Sequence, residues 1–358
     1  MSSYWNSRTR TIKPYVPGEQ PKDKSYVKLN TNENPYPPSP KVIRAVKQAA
    51  TGDLRLYPDP ACEELRTDIA ARFGFTKDEV FVGNGSDEIL GFAFAAFFEP
   101  GETVLFPDVT YSFYPVYAEL FDVTYKEVPL EEDFFVPVQK FLIPNGGIVI
   151  ANPNAPTGRY LSLEGVREMA EYNRKLGKVL LVDEAYIDFG GISAAGLVKE
   201  YSNVLVVQTL SKSRSLAGLR VGFSVGHRDL IAGLYRIQSS INSYTLDRLA
   251  LAGAKAAFSD QAYDKKICQK IVRTRGRVTR ELEASGFQVV PSEANFIFIT
   301  HPRVPAVEIS RKLREQGVLV RHFRKPRTEN FLRVSIGSDQ EMDVFLSAVK
   351  KIVEEAEA

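Results

Sequence analysis

The chain reads as an α/β protein: a mostly parallel sheet flanked by helices, a smaller α+β C-terminal unit, and an N-terminal arm. Three observations predict this. Gly147-Ile-Val-Ile-Ala, Val179-Leu-Leu-Val-Asp and Val204-Leu-Val-Val-Gln are near-continuous aliphatic runs, as in parallel strands buried on both faces. Leu163 to Leu176, with helical spacing, lies between the first two. After about Leu246 the pattern changes. A long helical stretch to Ser285 leads into Phe287-Gln-Val-Val, Asn295-Phe-Ile-Phe-Ile, Val318-Leu-Val-Arg and Phe331-Leu-Arg-Val-Ser, with helices at Ala306 to Gln316 and Asp339 to Glu354.

Residues 1–40 are rich in Pro, Asn, Tyr and Lys, lack a sustained period and read as an arm packed on something larger. Val42 to Ala49 and Glu63 to Phe73 have helical spacing. Ser86-Asp-Glu opens an apolar helix to about Phe98, with Ser86 as N-cap, and Thr103-Val-Leu-Phe is a short strand closed by Pro107. The expected division is an arm over 1–40, a large domain over 41–245 and a small domain over 246–358.

Composition narrows the function. Of 358 residues, 44% are hydrophobic, ample for a packed core. Lys plus Arg total 46 against 44 Asp plus Glu, so a net charge of +2 favours neither nucleic acid nor membrane. Anion recognition must then be local, built from particular arginines and backbone amides. Cys62 and Cys268 have no spacing partner, which fits a reducing compartment and argues against a disulfide framework. With only His227, His301 and His322 besides, no metal site is expected. The start has no apolar run, so no signal peptide is read, and Ile89 to Phe98 is too short to cross a bilayer. A cytoplasmic protein is the expectation.

In an open α/β sheet, ligands sit outside the carboxyl ends of the strands. Asp183 ends one aliphatic run, Lys212 follows the Val204 to Thr209 run by three residues, and Asn152 and Asn154 follow Ile148-Val-Ile-Ala. A carboxylate there is costly unless a cation or strong donors meet it. A plain Asp–Lys ion pair is one answer. A bound heteroaromatic ring is another: the carboxylate keeps a pyridinium nitrogen protonated, and the amine forms an imine with the ring's aldehyde. Tyr186 then offers its hydroxyl to the ring's phenolic oxygen, or is a core tyrosine. A phosphate on such a ring needs a cradle. Gly83-Asn-Gly-Ser-Asp-Glu offers one, with the amides of Gly85, Ser86 and Asp87 at a helix start, though the string also reads as an ordinary cap. Ser211 and Arg220 add to it, with Leu216-Ala-Gly-Leu as the turn that folds the arginine back.

Thr209-Leu-Ser-Lys-Ser-Arg-Ser-Leu-Ala-Gly-Leu-Arg-Val-Gly-Phe resembles the cofactor-lysine segment of fold-type I pyridoxal-phosphate aminotransferases, and among these the histidinol-phosphate aminotransferases. Asn152-Pro-Asn-Ala-Pro-Thr-Gly, Asp183-Glu-Ala-Tyr, Phe331-Leu-Arg-Val-Ser-Ile-Gly and the arm's Leu29-Asn-Thr-Asn-Glu-Asn-Pro resemble further family blocks, in the family's order. The likeness runs from about Lys13 to the C-terminal helix.

The resemblance implies pyridoxal 5'-phosphate as cofactor, with Lys212, Asp183 and Tyr186 catalytic. Lys212 is the Schiff-base lysine, Asp183 pairs with the ring nitrogen, Tyr186 bonds the ring hydroxyl and Tyr111 stacks on the ring face. Gly85, Ser86, Asp87, Ser211 and Arg220 surround the cofactor phosphate, and Tyr57 matches a tyrosine reaching it from the neighbouring subunit of a homodimer. Arg333 matches the arginine that holds an anionic substrate group; Arg321 and Tyr15 match positions that approach the phosphate of histidinol phosphate. The implied reaction moves its amino group to 2-oxoglutarate, giving imidazole-acetol phosphate and glutamate. Aromatic-amino-acid transamination and a phosphothreonine-type decarboxylation share the same cofactor residues. One position departs from the family: the asparagine usual before Pro-Thr-Gly is Ala155, leaving Asn154, Asn152 or Tyr186 alone to meet the ring oxygen.

Overall fold

The computed structural model describes residues 3–357. A strand covered on both faces can be aliphatic throughout, and every residue of Gly147–Ala151, Leu180–Asp183 and Val204–Thr209 is buried. The arm supplies strand β1 (Val27–Leu29) to a second sheet, described below. The large sheet comprises β2 (Val80–Asn84), β3 (Thr103–Pro107), β4 (Thr124–Val128), β5 (Gly147–Ala151), β6 (Leu180–Asp183), β7 (Val204–Thr209) and β8 (Val221–Gly226). Its order is β2-β8-β7-β6-β5-β3-β4, with β8 antiparallel to both neighbours and the rest parallel. Helix Leu163–Leu176 covers one face: Val166, Met169, Ala170 and Asn173 are buried at helical spacing, Ser162 caps its start, and Gly177 ends it at φ 67°.

Register decides where the chemistry lies. Ala151 stands opposite Asp183, and Asp183 opposite Val207, so the loops after β5, β6 and β7 leave the sheet at one level. Chain order reverses between the neighbours β3 and β5, the kind of switch point that opens a crevice. On the other side, β8 pairs Gly222 with Thr209 of β7 and with Gly83 of β2. This sets the start of helix Gly85–Phe97 beside the loop after β7.

The second sheet has the order β1-β11-β12-β10-β9, from β9 (Gln288–Val290), β10 (Phe296–Thr300), β11 (Val318–His322) and β12 (Leu332–Ser335). Strand β1 runs parallel to β11, so the arm is a working part of this sheet. Helices Gln261–Ala284, Ala306–Glu315 and Asp339–Glu357 accompany it.

Some local expectations are corrected. The helical stretch from Leu246 to Ser285 is two helices, Arg248–Phe258 and Gln261–Ala284, because Asp260 at the break is occupied by Ser39 Oγ at 2.6 Å and Lys41 at 3.4 Å. Ser86 is not an N-cap: the helix begins at Gly85, after Asn84, and no side chain caps it. Strands β2, β4 and β8 carried no clear sequence signal. Val221-Gly-Phe-Ser-Val-Gly is diluted by glycine, and Thr124-Tyr-Lys-Glu-Val is a largely exposed edge.

The junction of β8 with the helix start tolerates no side chain. A Cβ on Gly222 would lie 2.5 Å from the Gly85 carbonyl carbon and 2.5 Å from the Ser86 nitrogen, both backbone atoms. Gly222→Ala is therefore expected to cost about 1–3 kcal/mol of folding stability, as overpacking does. Denaturant unfolding checks it; an unchanged midpoint would show that the helix start shifts freely.

Candidate active site

The loops after β3, β5, β6 and β7, the arm, and β11 and β12 enclose a cavity of about 900 Å³. Lys212 and Asp183 both line it. Among the described residues, no ion pair joins them or gives Lys212 another carboxylate; its Nζ donates to the Thr31 carbonyl oxygen at 3.2 Å. Desolvation pulls Lys212 down to about 8, aided by Arg333 and opposed by Glu33 and Asp87. Desolvation also pushes Asp183 up to about 6, against the Tyr114 hydroxyl and the Ala185 N–H. Tyr114 donates to Asp183 Oδ2 at 2.9 Å and Ala185 N–H to Oδ1 at 3.2 Å, so two donors set the carboxylate's orientation. Tyr114 is wholly buried.

One end of the cavity suits a phosphate. The uncapped start of helix Gly85–Phe97 leaves first-turn amides without intrahelical partners, where the helix dipole favours an anion. Ser86, Asp87, Ser211 and Arg220 line the cavity there. Arg220 reaches Ser211 Oγ at 3.4 Å and Asp87 Oδ2 at 3.3 Å, and Asp87 Oδ1 accepts the Tyr111 hydroxyl at 2.9 Å. Gly85 lies behind this wall, with Arg220 Nη2 only 2.6 Å from where its Cβ would be.

At the other end, β11 and β12 place Arg321 directly opposite Arg333. Like charges in cross-strand register repel. Among the described residues neither guanidinium meets a carboxylate. Arg333 donates to the Asn30 carbonyl at 2.9 Å and its buried Nε has no partner; Arg321 donates to the Val16 and Pro17 carbonyls at 3.2 and 3.3 Å. Tyr15 lines the same region, stacked on Phe113 at 4.8 Å. An uncompensated arginine pair facing a cavity is a ready receptor for an anion.

The structure thus gathers Ser86, Asp87, Tyr111, Asp183, Tyr186, Ser211, Lys212, Arg220, Tyr15, Arg321 and Arg333 on one cavity. Asn154 is a correction. It is fully buried within the loop after β5, its Nδ2 donating to the Val109 carbonyl and Thr157 Oγ1 and its Oδ1 accepting from Thr110. Asn152 is equally committed, bridging to the backbone of Leu161 at 2.9 Å in both directions. Both amides hold the loop and neither faces the cavity. Ala155 does line it. Tyr57 stands outside, exposed and stacked on Tyr244 at 4.5 Å.

Some contacts carried no individual signal. The phenol of Tyr114 was invisible as an Asp183 partner, because a buried tyrosine in sequence is simply core. The arm's Asn-Thr-Asn-Glu-Asn string stood out as a motif, but its separate contacts to Lys212, Tyr186 and Arg333 emerge only in three dimensions.

A mostly parallel sheet, an unpaired lysine at a strand end, a buried acid beside it and an anion cradle at a helix start together define an α/β enzyme built to hold an anionic, amine-reactive cofactor. Residues 24–349 match the family described as aminotransferase class I and II, and the chain belongs to that family. It is 54% identical over 353 residues to a histidinol-phosphate aminotransferase of Clostridium beijerinckii, covering 99% of this chain and 98% of that one. A histidinol-phosphate aminotransferase of Clostridium botulinum is 55% identical over 353 residues, with 99% of each chain covered. In fold, the chain resembles the Sinorhizobium meliloti histidinol-phosphate aminotransferase solved with pyridoxal-5'-phosphate, at TM-score 0.89 and 24% identity over 99% of each chain.

The lowered Lys212 value has a direct consequence in cofactor-free protein. Below its pKa the amine is protonated and unreactive, so its reactivity should climb with a midpoint near pH 8 rather than near the ordinary 10.5 and level off above it. Rates of amine-selective labelling, followed at the Lys212 peptide by mass spectrometry, test this. A rate still climbing above pH 10 would contradict the desolvated setting.

Proposed function

We propose that this aminotransferase uses pyridoxal 5'-phosphate to transfer the amino group of L-histidinol phosphate to 2-oxoglutarate, giving imidazole-acetol phosphate and glutamate, a step of histidine biosynthesis. The observation that carries this reading is an unpaired lysine and a buried aspartate on the same cavity as two uncompensated arginines. The near full-length relatives named for this reaction support the choice of donor.

The residues fit the cofactor. Helix-start amides at Ser86 and Asp87, with Ser211 and Arg220, would hold its phosphate; Asp183 would face its ring nitrogen, Tyr186 its ring oxygen and Tyr111 a ring face. When bound, the cofactor supplies an aldehyde for the amino group and a ring that takes up the electrons of the broken Cα–H bond. Lys212 does the proton work. With its pKa drawn down to about 8, the Nζ amine is a usable base, and it would accept the Cα proton and return it to the cofactor carbon two bonds away. Asp183, oriented by Tyr114, becomes fully ionic opposite a cationic ring nitrogen, since such a partner offsets its desolvation. Arg333 would hold the carboxylate of the keto-acid or amino-acid partner, and Arg321 and Tyr15 would receive the donor's phosphate.

We further propose a cytoplasmic homodimer in which Tyr57 reaches the partner's phosphate cradle, the arm (1–40) and the small domain (246–358) closing over the large domain (41–245). Exposure of Leu54, Leu56 and Tyr57 in one stretch, beside Tyr244, supports an apolar surface awaiting a partner. Among the described residues, no helix is long and apolar enough to cross a membrane.

Glutamate formation from 2-oxoglutarate, measured with histidinol phosphate, phenylalanine, tyrosine and phosphothreonine as donors, tests the reading. Histidinol phosphate is expected to give the highest kcat/KM. Lys212→Ala should lower turnover by roughly 10²–10⁴-fold or more, and Arg321→Ala should raise KM for the phosphorylated donor about tenfold with little change for phenylalanine. Preference for phenylalanine would reassign the donor, and carbon dioxide release without keto acid would reassign the reaction.

A further inference from the structure

With Asn152 and Asn154 committed to the loop and Ala155 in the usual asparagine's place, the ring oxygen is left to Tyr186. The Tyr186 ring is held edge-on against Phe296 at 5.0 Å, and the residue lines the cavity. A phenolic O–H lies near the ring plane and points one of two ways. Which way it points decides whether Tyr186 donates into the cavity or accepts from it.

Asn32 resolves this. Its Nδ2 donates to the Tyr186 oxygen at 3.0 Å. With an N–H on one in-plane side, the tyrosine's own proton takes the other. The orientation of the Asn32 amide is itself fixed. Ser335 Oγ accepts the Asn32 backbone N–H at 2.8 Å and donates to Asn32 Oδ1 at 2.9 Å. Rotating the amide would put two donors on one serine oxygen and strand the serine proton inside the protein. Asn295 Nδ2 donates to the Asn32 carbonyl at 3.0 Å. The residue sits in the left-handed region at φ 56°, where asparagine is among the few side chains readily accommodated.

We infer that Asn32 is a positioning residue for the reaction: it turns the Tyr186 proton toward the cavity, and so does through Tyr186 what the family's asparagine would do directly at Ala155. The inference rests on the proposed cofactor. Ser335 and Asn295 belong to the small sheet and its approach, so the donor direction of Tyr186 is set from the arm and the small sheet together.

A donor on the ring oxygen favours its deprotonated form and weakens the hold on the proton shared with the lysine nitrogen. Losing that donor raises the pH midpoint at which the bound cofactor's visible absorbance titrates. Asn32→Gly keeps the backbone conformation and removes the amide; Asn32→Asp keeps the shape and exchanges the donor for an acceptor. Both should move the midpoint upward by about 1 unit, as Tyr186→Phe should, and Asn32→Gly in the Tyr186→Phe background should add nothing. A merely structural role would lower thermal stability and leave the midpoint in place. A midpoint that moves in Tyr186→Phe but stays put in both Asn32 variants overturns the inference and leaves the proposed function standing. Absence of any titrating cofactor band in the unaltered protein sinks both. If the variants fail to fold, the Asn32 side-chain amide NMR signals of the unaltered protein serve. They should shift on cofactor addition and not in Tyr186→Phe; equal shifts in the two would overturn the inference.

Discussion

A half-buried lysine amine that has no carboxylate partner among the described residues is the constraint on which the rest of this molecule turns. An ammonium in such a place is unfavourable, and the protein relieves the cost by letting the proton go more easily. Arg333 pushes the same way, while Glu33 and Asp87 oppose it. A carboxylate at ion-pair distance would hold the proton on the amine and raise its pKa again. The parallel strands supply the means: Asp183 ends β6 and Lys212 lies in the loop after β7, so the strands' carboxyl ends deliver both to one cavity without closing them into an ion pair.

The arm does more than cover the site. Within Asn30 to Asn34, backbone and side chains reach each moving part of the proposed chemistry. The Asn30 carbonyl accepts Arg333, the Thr31 carbonyl accepts Lys212, Asn32 contacts Tyr186, and Asn34 Nδ2 donates to the Lys212 carbonyl at 2.9 Å. Because β1 precedes this segment directly and pairs with β11, these contacts register the second sheet against the large one. A carbonyl oxygen suits Lys212 well, since it accepts from the amine in either protonation state and adds no full charge.

Much of this was legible in the sequence because buried parallel strands leave an unmistakable mark. Three aliphatic runs gave the core strands β5, β6 and β7; of the polar residues that end or follow them, Asp183 and Lys212 line the cavity, while Asn152 holds its own loop. Strand β8 escaped because two glycines interrupt its apolar run, Gly222 packed against the helix start and Gly226 against Leu205. Asn154 misled for a physical reason. An asparagine beside Pro-Thr-Gly looks the same whether its amide faces a ligand or ties down its own loop, and only the partners Val109, Thr110 and Thr157, two of them over forty residues away, tell these apart. Long-range hydrogen bonds of this kind leave no local pattern.

The arginine pair shows the same economy as the lysine. Arg321 and Arg333 face one another across β11 and β12, a like-charge arrangement that sheets normally avoid, and backbone carbonyls are their only hydrogen-bond partners among the described residues. Carbonyl dipoles reduce the repulsion without cancelling the charge. A carboxylate side chain would cancel it and would also compete with any incoming anion. The small sheet therefore keeps positive charge uncompensated on the cavity wall, where the proposed reaction would place an anionic substrate group, as the large sheet keeps an amine unpaired where the proposed imine would form. In both places local stability is given up for affinity toward a ligand, and the well-packed strands on either side make that loss tolerable.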